Sequence, residues 1–161
     1  MLRELLALPN TSKVWVYQSN REFTYEEMDD IREIVYNFVE SWDSHGMPVQ
    51  AYGNIFHRRF LVFVADESGH GVSGCSTDKS VNLVKALGEK FNADFFDRWQ
   101  FLIMREDKEI LGFTKDEFAQ NYEKGEIDAE TLVFDPLVKT KGEFLEKWII
   151  PLKESWHKQF V

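Results

Sequence analysis

The chain has 161 residues, 43% hydrophobic and 15% aromatic, a length and composition that fill one hydrophobic core without disulfide or metal staples. Nineteen basic against twenty-eight acidic side chains give a formal charge of -9, which repels polyanions and excludes nucleic acid as a partner. A single cysteine, Cys75, excludes an internal disulfide and a multi-cysteine zinc site, and fits a reducing compartment.

The N-terminal run Leu2, Leu5, Leu6, Ala7, Leu8 is broken by Arg3 and Glu4 and stops at Pro9, too short for the apolar region of a signal peptide. No apolar stretch approaches the roughly twenty residues that span a bilayer, so a cytoplasmic protein without membrane contact is expected. Residues 14–19 are β-branched and aromatic and predict a strand. Phe23-Thr24-Tyr25-Glu26-Glu27-Met28 carries a capping box between Thr24 and Glu27 and a staple from Phe23 to Met28. The helix it opens continues through Ile31, Ile34, Val35, Phe38, Val39 and Trp42 and is expected to end near His45-Gly46.

Residues 49–56 and 59–65 predict an antiparallel hairpin whose second strand is almost continuously apolar from Phe60 to Ala65 and so central, with both faces covered. The basic cluster His57, Arg58, Arg59 is too short to track a phosphate backbone and reads as a solvated hairpin tip. After a loop over 66–76, Val81, Val84, Leu87 and Phe91 mark a helix capped by Ser76 or Thr77. Strands follow at 99–104 and 110–113. A second capping box, Thr114 to Glu117, opens a helix that stops at Lys124-Gly125. A strand at 131–134 and a last helix from Thr140, ended or kinked by Pro151, complete the chain.

The order β, α, β, β, α, β over residues 13–114 predicts an α+β fold with a ferredoxin-like split βαββαβ core and an antiparallel sheet. Residues 115–161 read as a helix-strand-helix extension of the same single domain.

The segment from Asp66 to Asp78 concentrates the chain's polar chemistry: Asp66, Glu67, His70, Ser73, Gly74, Cys75, Ser76, Thr77 and Asp78 stand between a buried strand and a helix start. Helix starts present free N–H groups that favour anions, and glycines admit a ligand to the main chain. Gly69 to Ser76 has the spacing of a phosphate-binding P-loop, but Cys75 replaces the lysine that meets the phosphates. The apolar strand with Asp66-Glu67 looks like a Walker B site placed before the glycine loop instead of after it, and both matches read as accidental.

The stretches Val14-Trp15-Val16-Tyr17-Gln18-Ser19-Asn20, Asp66-Glu67-Ser68, Ser73-Gly74-Cys75-Ser76-Thr77-Asp78 and Lys153-Glu154-Ser155-Trp156-His157 resemble a family of short bacterial proteins often labelled ABC transporter ATPase. The resemblance implies a common fold and a shared site, and it brings no established activity. The label itself needs a lysine-bearing P-loop and a Leu-Ser-Gly-Gly-Gln-type signature, which the sequence lacks.

Three functions compete. The first is a module binding a small polar or anionic ligand at 66–78, completed by Tyr17, Gln18, Ser19 and by Arg21 as the neutralising cation, on the expectation that the first and third strands run parallel. The second is an enzyme with Cys75 as nucleophile, His70 as base and Asp66 as orienter; a variant binds metal through Asp66, Glu67, His70 and Asp78, although no recognised ligand spacing is present. The third is an interaction protein docking a partner or a second copy, as a homodimer, through its sheet or the Trp148 to Trp156 segment. Intramolecular packing is the preferred role of Trp148. No cofactor is expected.

Overall fold

Strand β5 (Phe60–Asp66) is buried at every position except its last. Phe60, Val62 and Val64 join one cluster of core residues, while Leu61 and Phe63 join another. A strand apolar on both sides must be covered on both sides. It is the middle strand of an antiparallel sheet, β1-β5-β4, flanked by β1 (Lys13–Gln18) and β4 (Gln50–Phe56). Helices α2 (Tyr25–Ser41) and α3 (Gly74–Phe91) cover the Leu61 and Phe63 face through Met28, Ile31, Val35, Val84 and Leu87. This computed structural model describes residues 2–69 and 74–161, with Leu2, Gly74 and Cys75 described through their backbone alone.

The other face of β5 meets a second antiparallel sheet, β7-β6-β8-β9, built from β6 (Phe101–Met104), β7 (Ile110–Phe113), β8 (Leu132–Phe134) and β9 (Ile149–Pro151). Alternation along β6 sends Leu102 and Met104 toward β5, and Phe101 and Ile103 outward. The outward pair packs under α4 (Lys115–Glu123) and the C-terminal 3-10 turns through Phe118 and Leu152. The layers therefore run helix, sheet, sheet, helix, and the segment after residue 114 supplies β8 and β9 of the second sheet. Trp148, after α5 (Lys141–Lys147), lies in the core between the sheets with Phe60, Phe134 and Phe144, as its packing role predicts.

The α+β class and the antiparallel sheets stand. The ferredoxin-like order does not describe the pairing: β1 runs antiparallel to β5, with Lys13 opposite Ala65 and Gln18 opposite Phe60. Strand β6, expected in one sheet with β1, β4 and β5, pairs instead with β7 and β8 in the second sheet. Element order carries no strand direction; here β6 needs cover on both faces, and the C-terminal segment provides a partner strand and outer cover.

Local chemistry behaves as the sequence predicts. Thr24 Oγ1 accepts from Glu27 N–H at 3.1 Å, and Glu27 Oε1 accepts from Thr24 N–H at 3.0 Å, while Phe23 and Met28 share one cluster. Thr114 and Glu117 repeat the reciprocal pair. Helix α2 stops four residues short of His45, because Trp42 leaves the helical path to bury its indole and donate Nε1 to Ser76 O at 3.0 Å. His45 and Gly46 instead turn a small hairpin between β2 (Asp43–Ser44) and β3 (Met47–Pro48), both with positive φ. The N-terminal run forms α1 (Leu2–Ala7), and the buried Lys141 donates Nζ to Leu6 O at 3.1 Å and to Leu8 O.

The β4–β5 turn is solvated at the exposed His57, as its charges suggest, but not at the buried Arg59. His57 and Arg58 hold φ of 52° and 59° without a glycine. Their neighbours fix them: Arg58 Nε donates to Phe23 O at 2.8 Å, and the His57 ring lies against Phe60, Phe134 and Trp148. Arg59 is 8% exposed, donates Nε to Ser19 O at 3.1 Å, and burial pulls its pKa down.

Candidate functional site

The two halves of the sequence-predicted site lie at opposite ends of the first sheet. In the antiparallel register Lys13, not Ser19, stands beside Ala65 and so near Asp66. Six residues of strand separate the two ends of β1, about 20 Å at ~3.3 Å per residue. Helix α3 spans the same gap: it starts at Gly74 near Asp43, and at its far end the Phe91 carbonyl accepts from Arg21.

At the first end, Asp66 Oδ1 accepts from Ser68 N–H at 2.8 Å, and that bond holds its carboxyl below the usual range. Glu67 and Asp78 are exposed. Ser76 and Thr77 sit inside the first turn of α3 and do not precede it. The buried Ser76 hydroxyl donates to Asp43 O at 2.6 Å, tying α3 to β2, while Lys79 pairs with Asp43 at 2.5 Å. His70 and Ser73 lie outside the described residues, as does the side chain of Cys75, so the thiol site of the enzyme reading is not among the geometry described. Among the described residues no three acidic, imidazole or thiol groups stand together in a way that could hold a metal ion.

At the other end Arg21 is fully occupied as a structural clamp. Its Nη1 and Nη2 reach Glu27 Oε1 at 3.1 Å and Oε2 at 2.5 Å, while further donors reach Glu22 O, Asn92 O and Phe91 O. The guanidinium, helped by the Thr24 N–H, holds the Glu27 carboxyl down to about 2. Arg21 thus joins the start of α2 to the end of α3 and is not a free cation for a ligand. Arg21→Ala is expected to lower unfolding free energy by about 1–2 kcal/mol in urea titration, since the ion pair is partly exposed. The stability that Glu27 contributes is complete above pH 4.5 and is lost as pH falls toward 2; the variant should show a shallower loss across that window.

Tyr17 and Gln18 do line a site, on the outer edge of β1. A cleft of about 620 Å³ is walled by Val16, Tyr17 and Gln18, by Val81 and Lys85 of α3, by residues 95–98, and by Pro136, Leu137 and Trp156. Tyr17 packs edge-on against Phe63 and Phe96, and burial raises its pKa, so its hydroxyl stays a donor at neutral pH. Gln18 is 5% exposed; its Nε2 donates to Gln100 O at 3.1 Å, which fixes the amide orientation, and its Oε1 is buried without a partner. Ser19 lies just beyond, its hydroxyl accepting from Arg21 N–H at 3.2 Å.

Lys85 and Arg98 at the cleft are exposed, and among the described residues neither forms an ion pair. Asp97 is the one carboxylate in the lining, and its Oδ1 already accepts from Trp99 N–H at 2.9 Å. The cleft is therefore apolar and aromatic in its walls and cationic in its unpaired charge, within a chain of charge -9. Sequence reasoning missed Lys85, Phe96, Arg98 and Leu137, and assigned Trp156 to a docking segment instead of to this cleft. A signal existed in Phe95-Phe96-Asp97-Arg98-Trp99, a dense aromatic and charged run directly after a helix.

No family model, no curated protein and no solved structure matches the chain. Among the described residues no helix is long and apolar enough to cross a membrane.

Proposed function

We propose that the chain is a binding module for a small amphipathic anion, seated in the cleft beside β1. The observation that carries this reading is the charge of the cleft: Lys85 and Arg98 stand exposed beside apolar and aromatic walls, and among the described residues neither forms an ion pair, within a chain of charge -9. Aromatic walls at Phe96 and Trp156 suit an apolar body, Lys85 and Arg98 suit a carboxylate or phosphate, and the volume is that of an ordinary small-molecule site. The small anionic ligand expected from the sequence is kept in class, and Tyr17 and Gln18 are kept as contacts. Its location moves away from residues 66–78.

Aromatic and aliphatic carboxylates, with phosphosugars and nucleotides as polar comparisons, should raise the melting temperature selectively in a thermal-shift screen. For any carboxylate that binds, Lys85→Glu together with Arg98→Glu should weaken the affinity at least tenfold, because two attractions become repulsions. Equal affinity in the doubly reversed variant, or no stabilising ligand in the panel, would remove the reading.

A further inference from the structure

We infer that the cleft accepts an extended peptide segment bearing a carboxylate, which adds to the first sheet as a strand along the free edge of β1; this rests on the binding reading and names its ligand class.

The edge is defined by the direction of its backbone groups. Ser12 O accepts from Lys141 N–H at 2.8 Å, and Val14 N–H donates to Lys139 O at 2.9 Å, so even-numbered residues here face away from β5. Ser19 N–H donates to Arg59 O at 2.9 Å, so the odd-numbered ones face the β5 side. With a repeat of two, the N–H and C=O groups of Val16 and Gln18 point out of the sheet into the cleft they line. No described backbone group bonds to them there, since β1 pairs only with β5 and, at Lys13, with Thr140.

The chain itself begins this added strand and then abandons it. Residues 139–141 pair along Ser12 to Val14, and continuing that antiparallel register would set Leu137 opposite Val16. Pro136 has no N–H, and the Leu137 N–H is turned back to Asp135 Oδ1 at 2.9 Å. Asp135 is further held by Trp156 Nε1 at 2.9 Å. The segment 135–138 therefore diverges and becomes the far wall, leaving a slot with a strand's hydrogen-bonding groups on one side only. A peptide entering it would place alternate side chains toward Tyr17, Val81 and Phe96 and toward Leu137 and Trp156, with its carboxylate at Lys85 or Arg98. Main-chain bonds with alternating side-chain pockets are how strand addition recognises peptides, and the two unpaired cations select an acidic occupant.

The test titrates the full chain with acetyl-Val-Thr-Val-Glu bearing a free C-terminus, and with the same peptide N-methylated at alternate residues. Amide hydrogen exchange is read residue by residue. The proposal expects exchange at Val16 and Gln18 to slow at least tenfold with the plain peptide, and the N-methylated peptide to bind at least tenfold more weakly. Equal binding of both peptides, or binding without protection at Val16 and Gln18, overturns strand addition while the small-anion reading stands on its own carboxylate panel. If neither peptides nor carboxylates bind, both readings fail. Protection at these two amides that rises with protein concentration in the absence of peptide assigns the edge to a second copy and overturns the peptide.

Discussion

His157 alone is expected to lower unfolding free energy by about 3 kcal/mol between pH 6.5 and pH 4, and His57, whose pKa burial also pulls down, adds to that loss. The His157 ring is 1% exposed, stacked on Trp156 at 3.8 Å and set edge-on against Phe101. Burial pushes its pKa down from 6.5 to about 4, against a smaller upward pull from Asp135. The folded pKa is depressed, so across that window the unfolded chain takes up a proton that the folded chain refuses. Stability is then complete above 6.5 and drains away as pH falls toward 4. The Ser155 hydroxyl lies 2.6 Å from Nδ1 and its oxygen accepts from His157 N–H at 3.3 Å, which fixes the ring in place. Urea titrations at several pH values should give a slope about one proton smaller in His157→Phe than in the native chain, whatever that variant's absolute stability. An unchanged slope would show that the ring is not the group that titrates. Because Trp156 is both the stacking partner of His157 and a wall of the cleft, ligand affinity should weaken only as pH falls through about 4, where the folded ring takes its proton.

What the sequence revealed and what it hid divide along a physical line. Thr24 with Glu27, and Thr114 with Glu117, bond within four residues of one another, so their chemistry is complete in the local string. The burial of Phe60 to Ala65 on both faces was legible for a similar reason, since an apolar run has only one stable environment. Strand direction was not legible. Whether β1 lies parallel or antiparallel to β5 depends on contacts across more than forty positions, and reversing that one relation sent Ser19 and Asp66 to opposite ends of the sheet. Arg21 misled because a free cation and a clamp have the same letter. Only the fold brings the Glu27 carboxylate and the Phe91 and Asn92 carbonyls around it. The cleft was half legible: Tyr17 and Gln18 come from the local strand, whereas Lys85, Arg98 and Trp156 reach it from three distant segments.

The layer opposite the second sheet depends on a residue that the strand pattern of β4 gave no reason to single out. Gly53 sits on β4 opposite Phe63, where α2 crosses, and a Cβ placed there would lie 2.6 Å from Val35 Cγ1. The same Cβ would meet Phe63 Cδ1 and Val39 Cγ2, each at 3.1 Å. Val35 is fully buried and β-branched, with no second rotamer readily open to it in a helix, so the clash must be relieved by moving α2 off the sheet. Gly53→Ala is therefore expected to destabilise the fold by about 2 kcal/mol, although alanine is a better strand residue than glycine by local preference. Val35→Ala removes the clashing methyl groups and leaves a cavity that the new Cβ partly fills. The double variant should accordingly be more stable than the sum of the two single losses by about 1 kcal/mol or more in denaturant titration. Strict additivity would mean that α2 is not seated on Gly53. The positions of Arg21 and of the α2–α3 junction would then need another anchor, because the clamp at Glu27 works only while the start of α2 is held against the end of α3.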